Sequence, residues 1–100
     1  MIVDNDFAGD PDGLLALAHQ MLSPKSRVEL ITSSALNPEF SKQQFPGGGT
    51  ARAGALLASE LLRRGKFPRP PLVVGGSEDF GATNSLAAPS IVAEALRDDP

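Results

Sequence analysis

Hydrophobic residues along the chain fall into six short blocks, and the spacing inside each predicts an element. Met1-Ile2-Val3 reads as a short apolar strand. Between Pro11 and Leu22, the residues Leu14, Leu17, Ala18 and Met21 recur at helical spacing, with Leu15 and Leu22 beside them. That is a broad apolar stripe suited to lying on a sheet, and Ser23-Pro24-Lys25 ends it. Arg27 to Ser33, with Val28, Leu30 and Ile31 apolar, reads as a second strand. A second helix is expected from Thr50 to Arg64, capped by Thr50 and ended by Gly65. Its inner face would be Ala53, Leu57 and Leu61, with Gly54 allowing close approach and Arg52, Arg63 and Arg64 solvated. After the rigid connector Pro68 to Pro71 comes a third strand, PLVVGG, apolar on both faces as a central parallel strand would be. A third helix, Ala88 to Arg97, carries Ile91, Val92, Ala95 and Leu96 on one side.

A helix between two strands, repeated, is the βαβ pattern and implies parallel strands joined by right-handed crossovers. The fold class expected is therefore α/β, a Rossmann-like open parallel sheet with alternating strands and helices in three βα units. One hundred residues allow one small domain, residues 1–100, burying about 65% of its unfolded surface. The abrupt start in a strand and the stop just after a helix suggest part of a larger domain. Three strands would leave sheet edges that want covering, so self-association is also an expectation.

Composition narrows the function classes. The chain is 41% hydrophobic and 21% charged with a net charge of −3. It has no basic run, and phenylalanine is its only aromatic type, so nucleic acid is not an expected partner. The lack of cysteine excludes disulfide scaffolds and thiolate metal sites. No apolar stretch approaches the ~20 residues of a membrane span, and no signal peptide is visible, which makes a cytoplasmic location the expectation.

The loop 35–49 shows no periodicity, and loops above ~12–15 residues are usually functional or disordered. Its Gly47-Gly48-Gly49 run opens the second helix, where free backbone N–H groups attract anions. No lysine follows as a P-loop requires, so a flap or a flexible linker is the better reading. In the loop 77–85, Glu78, Asp79 and Asn84 read as surface, and the solitary His19 reads as structural.

The chemistry concentrates at the start. Asp4, Asp6, Asp10 and Asp12 place four carboxylates within nine residues where a strand ends and a helix begins. Strand alternation would point Asp4 and Asp6 to one side. Asp10 sits where an N-cap is expected, Pro11 is favoured at the first helical position, and Asp12 falls in the first turn. Capping accounts for Asp10 and Asp12, but not for two like charges at a strand end. A hard cation held by oxygen ligands does account for them, calcium or magnesium above all. An EF-hand loop counted from Asp4 fails, since its fifth and twelfth positions fall on Ala8 and Leu15. In open parallel sheets ligands sit at the carboxyl ends of the strands, and Asp6 and Asn37 lie at or past two such ends.

The segment DNDFAGDPDG resembles the N-terminal signature of the inosine-uridine type of nucleoside hydrolase, Asp-x-Asp-x-Gly-x-Asp-Asp after a first strand. Asp4, Asp6 and Asp10 fall on its first three aspartates, the glycine comes one place late at Gly9, and Pro11 replaces the last aspartate. LLALAHQMLSP and VELITSSALNP resemble the family's first helix and second strand, so the whole chain resembles the N-terminal third of such an enzyme. The resemblance implies calcium-dependent hydrolysis of the N-glycosidic bond of a ribonucleoside or related ribosyl substrate. It assigns Asp6 as calcium ligand and general base, Asp10 and Asn37 as ribose-binding residues, and Asp4 as the supporting carboxylate at the metal. Because proline cannot ligate, the remaining metal position passes to Asp12, which projects about 100° further round the helix. The family takes further metal ligands from a C-terminal region, so a partial site is expected from these residues.

Two other readings stand beside this one. An Asp-x-Asp pair after a strand also resembles phosphatases of the haloacid dehalogenase type, with Asp4 as nucleophile and Asp6 as acid–base. A non-catalytic sugar- or nucleoside-binding module that lost its metal is the third, favoured by Pro11.

Overall fold

A computed structural model describes residues 1–9, 11–37, 48–78 and 87–98. The protein is α/β, with three parallel strands alternating with helices. In order along the chain these are β1 (Ile2–Asn5), α1 (Asp12–Leu22), β2 (Leu30–Ser33), α2 (Thr50–Gly65), β3 (Leu72–Gly75) and α3 (Ala88–Asp98). The sheet runs β1-β2-β3, so β2 is the centre and both other strands are edges among the described residues. All four β2 residues are buried, whereas β3 is half-buried with Leu72 exposed. The doubly apolar PLVVGG run is thus an edge strand and not the central one. Its central-strand character belongs to LITS, which carries the polar Thr32 and Ser33 inside.

The β2 ladder starts at Leu30, three residues later than Arg27, and just before it Glu29 N donates to Met1 O at 3.0 Å. Register places Val3, Ile31 and Val73 side by side, and Ile2, Leu30 and Leu72 on the next rung. Side chains alternate along each strand, so these rungs face opposite sides of the sheet. The first row meets α1 and α2. Phe7, Leu17, Ile31, Ala58 and Leu62 form the buried core there, flanked by Val3, Leu14, Met21, Leu61, Phe67 and Val73. Right-handed crossovers between strands laid down in one direction put both helices on one face, as found.

In α1 the expected stripe is the one buried, with Leu17 fully enclosed and Leu15 and Leu22 outside. In α2 the face is turned by one residue from the expected Ala53/Leu57/Leu61. Ala51, Gly54, Ala58 and Leu62 are buried and Leu57 is exposed. Size decides this rotation. A Cβ on Gly54 would collide with the Ser33 hydroxyl and lie 3.1 Å from Ala8 N and 3.2 Å from Phe7 Cβ. The close approach at Gly54 leaves Leu56 and Leu57 on the exposed flanks, while Leu62, two turns further on, packs into the core. At its end, Gly65 is still helical and leaves room for the Phe67 ring, while the left-handed turn falls on Lys66 at φ 53°.

The opposite face carries α3, which crosses near Leu30 and Leu72. Here the apolar side of the helix is not the side that is buried. Ile91, Val92 and Leu96 are 37, 56 and 70% exposed, and Glu94 is the residue turned inward at 4%. No helix among the described residues is long and apolar enough to cross a membrane.

Candidate functional site

The carboxyl ends of the three strands form one rim, and polar groups from all three tie it together. Asp4 and Thr32 are register partners, so their side chains stand on the same face. The Thr32 hydroxyl, buried, donates to Asp4 Oδ1 at 2.7 Å. Ser34 Oγ donates to Oδ1 at 3.0 Å and reaches Oδ2 at 3.2 Å. An exposed carboxylate is thereby held in one orientation by two hydroxyls from the neighbouring strand. The backbone continues the junction, with Ser34 N on Asn5 O at 3.0 Å and Gly76 N on Ser33 O at 2.8 Å.

Asp6 follows directly. The chain turns because Phe7 drops into the core, and Gly9 N closes the turn on Asp6 O at 2.9 Å. Asp6 stays exposed, and its carboxylate accepts no hydrogen bond among the described residues. Gly9 lets the Leu36 side chain come within 3.0 Å of where a Cβ would sit, which brings the turn after β1 against the segment after β2. Asn37, half-buried, is the next residue in that segment. Asp6, Asn37 and the Asp4 carboxylate therefore belong to one rim.

Asp12 is exposed at the first residue of α1, whose N-cap is Pro11 rather than the expected Asp10, and no side chain among the described residues caps this end. Asp10 itself lies outside the described residues, as do Asp79 and Asn84 of the later loop and positions 38–47 of the long one. His19 is exposed in the last turn of α1.

The start of α2 also differs from expectation. Gly49, at φ 75°, is the N-cap, and Thr50 is already helical. The Thr50 hydroxyl accepts Leu36 N at 2.8 Å, pinning the segment after β2 to the helix. The free helix amides are taken by Glu78, just past β3, whose carboxylate accepts Ala51 N at 2.7 Å and Arg52 N at 3.0 Å. An anion does sit at this N-terminus, as the dipole and free N–H groups favour, and it is the protein's own.

Thr32, Ser34 and Glu78 were not legible as site residues. The signal for the first two was present in strand alternation, since Thr32 and Ser34 share a side at the end of a buried strand. Glu78 carried no signal, because its partner is a helix end 27 residues earlier in sequence.

Calcium takes six to eight oxygen ligands. Among the described residues no group of three His, Cys, Asp or Glu side chains stands close enough together to hold a metal ion. Asp4, Asp6 and Asp12 are donors of the right chemistry and too few for a full shell, and Asp4 already spends lone pairs on two hydroxyls.

No protein-family model, no curated protein and no solved structure matches the chain.

Proposed function

We propose that the carboxyl rim is part of the active site of a nucleoside hydrolase-like enzyme that cleaves the N-glycosidic bond of a ribosyl substrate. The observation that carries this reading is the Asp4 carboxylate, oriented by Thr32 and Ser34 at the carboxyl end of a parallel sheet and followed two residues on by Asp6, whose carboxylate accepts no hydrogen bond among the described residues. Asp6 takes the proton of the attacking water as the bond from sugar carbon to base nitrogen breaks and the carbon–oxygen bond forms. The leaving base collects a proton from solvent. Positive charge that develops on the sugar is stabilised by the fixed negative charge of Asp4, which needs no reorganisation during the reaction. Asn37 and Asp10 bind the sugar hydroxyls. Calcium would be held by oxygen donors that include Asp4, Asp6 and Asp12, and it would supply a water of lowered pKa.

Asp4 makes the phosphatase alternative less apt. A carboxylate nucleophile that already accepts two hydroxyl hydrogen bonds would have to give them up to attack phosphorus.

The test is release of free base from a panel of ribonucleosides with calcium present, for the wild-type chain and for Asp6→Asn. Release that falls by about a hundredfold or more in the variant is the expected result for loss of a general base. Absence of release from every nucleoside, or equal release by the variant, would overturn the proposal. Trapping of a phosphoryl group on Asp4 would transfer the site to the phosphatase reading.

A further inference from the structure

The amino end of the sheet carries a second polar cluster, remote from the carboxyl rim and unused by the proposed reaction. A cavity of about 420 Å³ lies between the start of β2, the start of β3 and the inward side of α3. Its lining includes Arg27, Arg69 and Arg97 against Glu29 and Glu94. Glu94 is the only buried acid among the described residues, at 4% exposure. Arg97 Nη1 approaches its Oε2 at 3.3 Å, and its Oε1 is buried with no donor among the described residues. Glu29 repeats the pattern. Its Oε1 pairs with Arg27 Nε at 3.2 Å, and its buried Oε2 has no hydrogen-bond donor among the described residues, the Met1 ammonium standing 3.9 Å away. Arg69, held by the rigid Pro70-Pro71 that follows it, makes no ion pair among the described residues.

Buried carboxylate oxygens without donors are a chemical demand, because groups removed from water are almost always hydrogen-bonded. A metal dication is a poor answer, as three guanidinium groups line the same space and no third acid among the described residues joins them. A phosphate is a poor answer too, since two carboxylates would repel it. What fits is a molecule with N–H donors on a positive nitrogen at one end and an anion at the other.

We propose that this cavity binds a small zwitterion of the α-amino acid class, its ammonium donating to Glu94 Oε1 and its carboxylate paired with Arg69. The volume lies within the range of small-ligand sites. Charge-assisted hydrogen bonds at both ends supply the selectivity, and loss of either would weaken binding by about tenfold or more.

The experiment is an NMR titration of the ¹⁵N-labelled 100-residue chain with L-alanine, read at the amides of Arg69, Leu72 and Ser90–Arg97. Trimethylglycine, acetate and methylammonium are titrated alongside. Saturable shifts with L-alanine are expected. Trimethylglycine, which has both charges and no N–H donor, should bind about tenfold or more weaker, and each single-charge probe likewise. Glu94→Gln and Arg69→Met should each lower alanine affinity to a similar degree. Arg69 is exposed, so its variant reports on binding even if Glu94→Gln fails to fold. Absent shifts with L-alanine would overturn the proposal. So would equal binding of trimethylglycine, or unchanged affinity in Arg69→Met.

Discussion

The two faces of the sheet are built on different terms. On one face, α1 and α2 press a leucine-, alanine- and phenylalanine-lined core onto Val3, Ile31 and Val73. On the other, α3 turns Glu94 inward and leaves Ile91, Val92 and Leu96 exposed. The polar groups follow the same division. Asp4 and its partner Thr32 lie on the rungs of the α3 side, at the carboxyl end, and the arginine–glutamate cavity lies on that side at the amino end. One face holds the protein together, and the other, thinly covered, is where charged side chains meet space a ligand can enter.

Truncation separates the faces most sharply. Leu17→Ala removes a fully enclosed side chain and should cost about 2–5 kcal/mol in chemical denaturation. That is a large part of the 5–15 kcal/mol typical of a domain. Leu96→Ala, on the exposed side of α3, should stay within about 0.5 kcal/mol of wild type. Comparable losses at the two positions would mean that the faces are equally packed.

Gly54→Ala probes how closely α2 is seated. Better helix propensity favours alanine by roughly 1 kcal/mol. Against that stands overpacking on Phe7, Ala8 and Ser33, typically 1–3 kcal/mol, so a net loss of about 1 kcal/mol is expected. A more stable variant would show that the helix can move off the sheet.

Across the rim, Glu78→Ala frees the amides of Ala51 and Arg52 and removes a negative charge from the helix N-terminus. About 1 kcal/mol should be lost, and added phosphate should recover part of it. A stability that ignores both changes would show that solvent caps the helix equally well.

The smallest effect lies on the solvent side of α2. Hydrogen bonds from Arg63, then Arg64, hold the Glu60 carboxyl down at about 2 from its ordinary 4.5. The folded value is the lower one, so the contribution is present above about pH 4.5 and fades as pH falls toward 2. Solvent screening on this outer side of the helix keeps it small. Stability measured between pH 5 and 2 should therefore fall slightly less steeply in Glu60→Gln than in wild type, and parallel curves would remove Glu60 from the account.

Much of the fold could be read from the residues, and the reasons are local. Turn chemistry at Ser23-Pro24 and the apolar stripe of α1 depend on neighbours within four positions, and they emerge where expected. Parallel strands follow from helices set between them. What sequence did not reveal depends on which surface a helix meets. The α2 face is decided by the small volumes of Gly54 and Ala58 under a tight approach, not by the larger hydrophobicity of Leu57. In α3 the apolar stripe is real, but the residue turned toward the described sheet face is Glu94, paired with Arg97 one turn along the same helix. At the site, the aspartates declare themselves by their density. The hydroxyls that orient Asp4 share a side by strand alternation, but which carboxylate they serve is visible only once β1 and β2 are set in register.

The central claim is that the carboxyl rim is a working acidic site with Asp6 at its heart. Calorimetric titration of calcium into the 100-residue chain, with Asp6→Asn in parallel, tests it most directly. With only part of an oxygen shell present, the account predicts weak but saturable binding, with a dissociation constant of about 10⁻⁴–10⁻³ M, that disappears in the variant. Calcium heats that are absent from the wild type, or identical in Asp6→Asn, would contradict it.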